Sequence, residues 1–238
     1  MLVAGLRSAG TQAPTPIAIY TSELCVLHDP GMRMGEVLPE QPARLAKLIH
    51  AMRSEWSPEY GDLLQIREPE VDVTHEQLLR VHDETYLDRL DDFFKRLERP
   101  AAGNIRPRVN LDPDTVVAAH SEAAANRASG LVCAAVDEVF GSCVFEEPST
   151  PGSGERHRAE PGDCIRRAFV MVRPPGHHAE AGKAGGFCIY NNVMIGVAHA
   201  QELYGLTRVA IIDFDVVTPY PVERTCVQCI VRFIHRLV

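Results

Sequence analysis

Positive charge and long apolar runs are both scarce in this sequence. The 24 Lys and Arg residues are outnumbered by 32 Asp and Glu residues, which gives a formal net charge of −8. Without a basic excess to neutralise a phosphate backbone, direct nucleic-acid binding is not expected to be the main function. No apolar run approaches the ~20 residues that a membrane-spanning helix needs, so no spanning segment is expected either.

Cysteine pairs and a secretory signal are also missing. The seven cysteines are scattered along the chain, and an odd, scattered set predicts reduced thiols in a reducing compartment rather than a disulfide framework. The first residues lack the long apolar segment of a secretory signal. The absence of acidic residues before Glu23 leaves a short organelle-targeting peptide as an alternative, and a disordered tail over 1–16 is the preferred interpretation.

The remaining composition is that of a globular protein, because 45% of the 238 residues are hydrophobic and 24% are charged. A chain of this length suits one large domain or two small ones.

The first half of the chain contains several signals for helices. Apolar residues recur there at helical spacing, Thr74 with Gln77 forms a capping box, and Asp112-Pro113 indicates a helix start. The predicted elements are a strand over 17–20 and helices over 40–56, 74–81, 84–97 and 112–140. Within the last helix, Gly130 is expected to allow close approach of another backbone.

The second half of the chain has a different pattern. A stretch rich in Pro, Gly, Ser and charge over 146–163 predicts a solvated surface insertion. Beyond it, apolar runs over 168–172 and 208–216 predict two buried strands. A helix over 192–203, capped by an asparagine and ended by a glycine, is predicted between them. Strand, helix and strand at this spacing form a βαβ unit, which implies a parallel sheet flanked by helices and the α/β fold class.

Polar residues follow or end both predicted strands. In open α/β sheets, functional sites lie beyond the carboxyl ends of the strands. The first strand is followed by His177 and His178. The second carries Asp213 and Asp215, which share one face because they are two positions apart. Buried carboxylates need a cation or a proton to neutralise them, and together with imidazoles they are a ligand set for Zn²⁺ or a related divalent ion. Loop-capping carboxylates and solvated histidines are the alternatives.

Three longer motifs occur in order in this half of the chain. They are RPPGHHAE over 173–180, GGFCIYNN over 185–192 and VAIIDFDV over 209–216. The set resembles the histone deacetylase family, and the amino-acid sequence of the first motif is most similar to the class II branch of that family. Weaker agreement extends upstream, at His28 and over 39–44, 81–86 and 111–115. The resemblance covers roughly 17–216, interrupted by the insertion.

The resemblance implies a zinc-dependent amidohydrolase of the arginase/deacetylase α/β fold that removes acetyl groups from lysine side chains of histones or other proteins. Motif by motif, His177 and His178 correspond to the paired catalytic histidines. His178 would be the general base that later protonates the departing amine, and His177 would assist electrostatically. Asp215 corresponds to a zinc ligand. Asp213 corresponds to the residue that orients His177 and helps hold a structural monovalent cation such as K⁺.

The same resemblance implies a narrow substrate tunnel. Phe187 would line the tunnel that grips the acyl-lysine stem, and Gly186 would offer a backbone carbonyl along it. Corepressor-type protein partners and residence in the nucleus, the cytoplasm or both are also implied. The motifs do not encode substrate size, so a relative that acts on small acylated amines such as polyamines is an open alternative.

The family pattern breaks after Val216. The family continues there with His-His-Gly, whereas this chain has Val217 in place of the second zinc-ligand histidine. The third ligand, an aspartate, and the tyrosine that stabilises the oxyanion have no counterpart, so the fold is expected to be incomplete at the C-terminus. Catalytic zinc normally has three protein ligands. We therefore expect little or no deacetylase activity from this chain, and a non-catalytic binding or regulatory isoform is the alternative.

Residues 217–238 lie outside the family pattern. Their apolar residues have helical spacing. Cys226, Cys229 and His235 are a weak indication of metal binding, because a structural zinc site needs four ligands. Every valine codon begins with GT, as most introns do, so we hypothesise that a retained intron or a mis-predicted exon boundary produced this tail. A genuine alternative isoform is the second interpretation.

Other reactive residue types have structural interpretations. Cys188 with His177 would form a cysteine hydrolase pair, but the apolar run around Cys188 favours a packed thiol. Glu180 is expected to be a loop-surface carboxylate. Four further histidines are expected to be structural or surface residues: His28, His82, His120 and His199.

Overall fold

The computed structural model describes residues 2–4, 16–33, 36–97, 108–141, 165–213 and 215, so the predicted insertion over 146–163 and the tail over 217–238 lie outside the described residues. The strands are β1 (Leu2–Ala4), β2 (Ile17–Thr21), β3 (Met32–Arg33), β4 (Glu36–Val37), β5 (Leu64–Arg67), β6 (Val109–Asn110), β7 (Val116–Val117) and β8 (Arg167–Met171). The helices are α1 (Pro42–Ala51), α2 (Ser57–Tyr60), α3 (His75–Leu79), α4 (Glu84–Leu97), α5 (Ser121–Gly141) and α6 (Asn192–Tyr204). Among these residues, none of the helices combines the length and apolar character that crossing a membrane requires.

A four-stranded sheet in the order β1-β8-β2-β5 forms the centre of the fold. Strand β2 runs parallel to both β5 and β8, with Ile19 opposite Ile66 on one side and opposite Phe169 on the other. Strand β1 runs antiparallel to β8 along the edge opposite β2. This mostly parallel sheet is flanked by helices, and the predicted α/β class is confirmed.

Alternating side chains of β2 enter two separate hydrophobic clusters. Ala18 and Tyr20 pack with residues of α5 such as Val132 on one face of the sheet. Ile19 packs on the other face with α1 and with Met52, which follows α1. Because successive strand residues point to opposite faces, this one strand anchors both helical layers.

A third cluster packs α4 against α5, α6 and the chain before α6. It includes Leu90 and Phe94 of α4, Ile195 of α6 and Ile189 from the preceding loop. The loop between β8 and α6 is therefore built into the core at its C-terminal end, which matters because this loop carries the paired histidines.

The close approach expected at Gly130 is confirmed. A Cβ atom at this position would lie 2.5 Å from the backbone oxygen of Val71. Helix α5 therefore lies directly against the backbone that precedes α3, and any side chain at residue 130 would push the two segments apart.

Several local predictions are confirmed. The strand over 17–20 is present as β2. Thr74 Oγ1 accepts a hydrogen bond from the Gln77 amide at 3.2 Å, and Gln77 Oε1 accepts one from the Thr74 amide at 2.8 Å, which completes the capping box. Helix α6 begins after its cap Asn191 and ends at Gly205, which has a φ of 61°.

The helix predicted over 40–56 has different bounds. It begins at Pro42, whose fixed φ suits the first turn of a helix. Glu40 lies outside the helix because its buried carboxylate pairs with Arg173. At the other end, a π-helical segment over Met52–Trp56 extends the helical path into α2, which ends at Tyr60.

The helix predicted over 112–140 begins only at Ser121. Asp112 instead caps a turn, because its Oδ1 accepts hydrogen bonds from the amides of Asp114 and Thr115 at 2.8 and 2.7 Å. An Asp-Pro pair satisfies the free amides of a turn as readily as those of a helix start. The prediction was therefore wrong about the start of α5 and right about the body of the helix.

The strand predicted over 208–216 is absent from its described residues, 208–213 and 215, which have no regular secondary structure. The predicted βαβ unit is therefore not completed by them. Strand β1 instead pairs with β8 on the edge away from β2, with Leu2 opposite Phe169. Residues from the N-terminus thus occupy part of the edge that a further parallel strand would use.

Three residues of the tail predicted over 1–16, Leu2–Ala4, form β1. A three-residue strand gains its order from the backbone hydrogen bonds of its neighbour, and such pairing is not visible in the local sequence.

Candidate active site

A buried ion pair anchors the start of the loop between β8 and α6. Arg173 is 4% exposed, and its Nε donates to Glu40 Oε1 at 2.5 Å. Its terminal nitrogens donate to the backbone carbonyls of His28 at 3.0 Å and Glu40 at 3.2 Å. Glu40 also pairs with Arg44. Buried charges require this degree of pairing, so the first residues of the loop have a fixed position.

Two asparagines at the start of α6 hold the rest of the loop. Asn192 Nδ2 donates to the Pro174 carbonyl at 3.1 Å, and Asn192 Oδ1 accepts from Ser129 Oγ at 2.7 Å. Asn191 Nδ2 donates to the Ala179 carbonyl at 2.8 Å. The segment that carries the histidine pair is therefore tied at both of its ends to the same helix terminus.

His82 also connects this loop to the start of α6, through a hydrogen bond to each. Its ring is buried, with Nδ1 donating to the Glu180 carbonyl and Nε2 accepting from the Asn191 amide, both at 3.0 Å. Because one nitrogen donates and the other accepts, the ring is neutral, and burial lowers its pKa. The structural role expected for His82 is confirmed.

His177 lies between the two aspartates that the sequence singles out. Its Nδ1 donates to Asp213 Oδ2 at 2.7 Å, and its Nε2 lies 3.4 Å from Asp215 Oδ2. Asp213 Oδ1 also accepts from the Asp215 amide at 3.0 Å. Burial raises the pKa of Asp213, but this amide and the His177 ring outweigh burial, so the pKa is lowered overall. The ionised carboxylate therefore orients the His177 ring.

The His178 ring lies beside that of His177, with 4.1 Å between the ring centroids. Burial, followed by the neighbouring His177, lowers the pKa of His178 against the opposing effects of Asp215 and Asp213. The ring is therefore neutral near neutral pH and has a lone pair that can accept a proton. It also touches the backbone at Gly186, where a Cβ would lie 2.5 Å from His178 Cδ2.

His177, His178 and Asp215 form the candidate metal-binding group of the described residues. One ligand atom from each lies within 4.8 Å of the others. Ring nitrogens and a carboxylate oxygen are donors that suit Zn²⁺, so the chemistry of this set fits the ion that the sequence predicts. Asp213 stands behind His177 as the carboxylate that fixes the orientation of its ring.

The two predicted tunnel residues are the central residues of a tight turn. Gly186 and Phe187 have φ angles of 53° and 68°. The Cys188 amide donates to the Gly185 carbonyl at 2.9 Å, and the Gly185 amide donates to the Cys188 carbonyl at 3.1 Å. The Phe187 amide donates to Thr115 Oγ1 at 3.0 Å. The sequence alone does not single out Thr115, which lies 72 positions away in a motif of weaker agreement.

Cys188 and Glu180 do not join this site as reactive groups. Burial raises the pKa of the Cys188 thiol to about 12, so the thiol stays protonated and is a poor nucleophile. Glu180 is exposed and pairs with Lys183 at 3.0 Å. The predictions of a packed thiol and a surface carboxylate are confirmed.

Three further histidines singled out in the sequence have partners of their own or face solvent. His28 is buried against Ser121 Oγ at 2.8 Å. His199 is buried, with its Nε2 2.8 Å from Asp137 Oδ1. His120 is exposed. Structural or surface roles are therefore confirmed for all three.

The sheet, its flanking helices and this histidine–aspartate group define an α/β protein with a cluster of residue types that could hold a metal ion. The family profile described as "Histone deacetylase domain" matches residues 38–217, which is more than half of the chain. The chain therefore belongs to the histone deacetylase family.

Individual relatives agree with this assignment. Type-2 histone deacetylase 2 of Dictyostelium discoideum is 31% identical over 225 residues, which cover 84% of this chain and 11% of that protein. Polyamine deacetylase HDAC10 of Rattus norvegicus is 48% identical over 53 residues, which cover 22% of this chain and 9% of that protein. The chain thus spans about a tenth of the length of the Dictyostelium relative, and its match to the rat protein covers a similarly small share of that protein.

A solved structure confirms the fold. The crystal structure of the HDA15 HD domain is similar with a TM-score of 0.65 and 24% sequence identity, over 85% of this chain and 48% of that chain. The predicted arginase/deacetylase-like fold is therefore confirmed, and this chain corresponds to about half of the solved chain.

Proposed function

We propose that the site is that of a zinc-dependent deacetylase, which hydrolyses the amide of an acetylated lysine to lysine and acetate. The observation that carries this proposal is the position of His177 between two carboxylates and beside the neutral His178. In a member of the histone deacetylase family, this arrangement supplies a base together with an oriented second histidine.

His178 is the proposed general base and general acid. Its neutral ring accepts a proton from the attacking water and then donates it to the departing lysine amine, so the ring is neutral again at the end of the cycle. His177, held by Asp213 through its Nδ1 proton, assists electrostatically.

Asp215 is the proposed zinc ligand, and Asp213 is the proposed contributor to a K⁺ site. When bound, zinc lowers the pKa of water towards ~7 and polarises the acyl oxygen. Val217 stands where the family has a ligand histidine, which reduces the ligand set. The paired histidines cannot replace it and still serve as the base, because a coordinated ring nitrogen has no lone pair for a proton. We therefore expect weak zinc binding and little or no turnover from this chain.

The turn after the histidine loop is the proposed substrate wall. Phe187 would contact the methylene stem of the acetylated lysine, since an aromatic ring offers a large apolar surface to a chain of methylene groups. The Gly186 carbonyl would face the same stem and accept a hydrogen bond from the substrate backbone or amide. In this arrangement the acyl group would lie beside His178, whose ring is close to the backbone at Gly186.

The experiment is a zinc titration and a turnover assay on the 238-residue chain and on Val217→His. We expect the unaltered chain to hydrolyse an acetyl-lysine peptide no faster than a zinc-free control. We expect V217H to bind zinc at least about tenfold more tightly, because it restores a ligand of the family pattern. Adding His178→Asn to V217H should remove any turnover gained, while His120→Asn, which changes an exposed histidine, should leave it unchanged.

Two outcomes would contradict this proposal. Tight stoichiometric zinc binding with turnover by the unaltered chain would show that the ligand set is not reduced. Equal zinc affinity of the unaltered chain and V217H would show that zinc does not bind where the family pattern puts it.

A small acetylated amine is the second candidate substrate. The match to the rat polyamine deacetylase supports it, because that match has 48% identity over its 53 residues. A panel that compares an acetylated polyamine with an acetyl-lysine peptide on V217H separates the two candidates. Faster hydrolysis of the acetylated polyamine would make a small acetylated amine, rather than acetyl-lysine, the proposed substrate.

A further inference from the structure

Resting on the proposed function, we propose that Thr115 is a positioning residue for the active site. Its hydroxyl holds the turn at Gly186 and Phe187, and through this turn it sets the place of both the substrate wall and the base His178. The contact joins a loop after β6 to the loop before α6, two parts of the chain that are 72 positions apart.

The turn requires an outside contact because its conformation is unfavourable for Phe187. Both central residues have positive φ, and only glycine adopts such angles without steric cost. Gly186 meets this requirement, but Phe187 at φ 68° does not. A non-glycine residue in this region persists when surrounding contacts fix it, and such residues cluster at functional sites.

Thr115 provides that contact from a fixed position. Its side chain is buried, with 1% of the residue exposed, and its Oγ1 accepts the Phe187 amide proton at 3.0 Å. Its own amide donates to Asp112 Oδ1 at 2.7 Å, and its carbonyl accepts from the Leu111 amide at 2.8 Å. The hydroxyl therefore cannot follow the turn if the turn moves, and the hydrogen bond acts as an anchor.

The turn that Thr115 holds is itself in contact with His178. The His178 ring is so close to Gly186 that a Cβ there would lie 2.5 Å from its Cδ2. The His178 amide also donates to Cys188 Sγ at 3.5 Å, and this thiol donates to the Gly186 carbonyl at 3.3 Å. A shift of the turn therefore moves His178 as well as Phe187.

The test compares Thr115→Val, which keeps the shape and removes the hydroxyl, with Thr115→Ser, which keeps the hydroxyl. In the full chain we expect T115V to speed hydrogen exchange of the Phe187 amide by about tenfold and to shift the NMR signals of the His178 ring. T115S should keep both close to the unaltered protein. Thermal unfolding of each variant checks that the protein remains folded.

Thr21→Val is the matched control. Thr21 is also fully buried, and its Oγ1 donates one hydrogen bond to the Met171 carbonyl at 2.9 Å. The T21V variant loses this bond, which lies within the central sheet. We expect T21V to leave the Phe187 amide and the His178 signals unchanged. Unchanged Phe187 exchange in T115V, or the same changes in T21V as in T115V, would overturn the proposal.

A binding measurement separates this proposal from the proposed function. We expect T115V to bind a fluorescent acetyl-lysine peptide about fivefold more weakly, and T115S to bind it like the unaltered chain. Unaltered affinity in T115V despite a faster Phe187 amide would overturn the role of Thr115 in substrate binding. If the unaltered chain binds no peptide while T115V still shifts His178, the substrate assignment fails and the positioning of His178 stands.

Discussion

His28 shows how the fold depends on a histidine that stays uncharged. Its Nδ1 lies 2.8 Å from Ser121 Oγ. The same oxygen accepts a hydrogen bond from the Ala118 amide at 2.8 Å. Burial, followed by the positive charge of Arg173, lowers the pKa of His28 to about 3, against a smaller opposing effect of Asp29.

This lowered pKa predicts a loss of stability in mild acid. Unfolded His28 binds a proton below its ordinary pKa of 6.5, whereas folded His28 does not until about pH 3. Its contribution is therefore complete above pH 6.5 and is lost as the pH falls towards 3. Relative to His28→Asn, we expect the unaltered chain to lose about 2 kcal/mol of unfolding free energy between pH 6.5 and about pH 5.

Urea unfolding at a series of pH values measures this difference. His120→Asn is the control, because His120 is exposed and its loss should leave the pH dependence unchanged. An equal pH dependence in H28N and the unaltered chain would contradict a neutral, buried His28.

The sequence predicts the reactive residues of the candidate site better than the residues that hold them. His177, His178, Asp213 and Asp215 stand out because charged or polar side chains follow apolar runs, and the structure brings these four together. The groups that fix them come from distant parts of the chain. The contact of Thr115 with Phe187, for example, depends on how two loops pack, and no local pattern encodes it.

At the scale of elements, the glycine in the middle of α5 makes a clear prediction. Alanine is favoured over glycine in a helix by ~1 kcal/mol. At Gly130, however, a Cβ would lie 2.5 Å from the backbone oxygen of Val71, and backbone atoms cannot rotate away. We expect Gly130→Ala to lower the free energy of unfolding by about 1–3 kcal/mol, because overpacking outweighs helix propensity.

Thermal or urea unfolding of G130A measures the effect, with Gly182→Ala as the control. A Cβ at Gly182 would meet only the end of the Asp83 side chain, at 3.0 Å, and this flexible side chain can move. Increased stability of G130A would show that α5 does not lie as close to the backbone before α3 as described.

Helices were predicted more accurately than strands for a physical reason. The apolar spacing of α4 and the cap of α6 are local features; α4 has the expected bounds, and α6 ends one residue later than expected. A strand forms only beside a neighbour, and for 208–216 the described residues show no such pairing. The false start at Asp112 has a similar cause, because one short carboxylate can cap either a turn or a helix.

For the whole molecule, the pairing of β1 with β8 predicts that the N-terminus stabilises the sheet. Deletion of residues 1–5 should remove this short ladder and leave the edge of β8 unpaired. We expect faster hydrogen exchange over 167–169 and a loss of about 1 kcal/mol of unfolding free energy.

Hydrogen exchange followed by mass spectrometry measures the exchange rate of the backbone amides at both edges of the sheet. The opposite edge strand, β5, is the internal control and should exchange as before. Unchanged exchange over 167–169 after the deletion would contradict the pairing of β1 with β8.

The ion pair between Arg173 and Glu40 also has a consequence for synthesis on the ribosome. The two residues are 133 positions apart, yet both are buried, and Arg173 anchors the histidine loop. A nascent chain that has emerged only as far as α5 contains the Glu40 carboxylate without its buried cation. Until Arg173 emerges, Glu40 has the exposed Arg44 as a partner, so we expect the histidine loop to take its fixed position only after residue 173 has been synthesised.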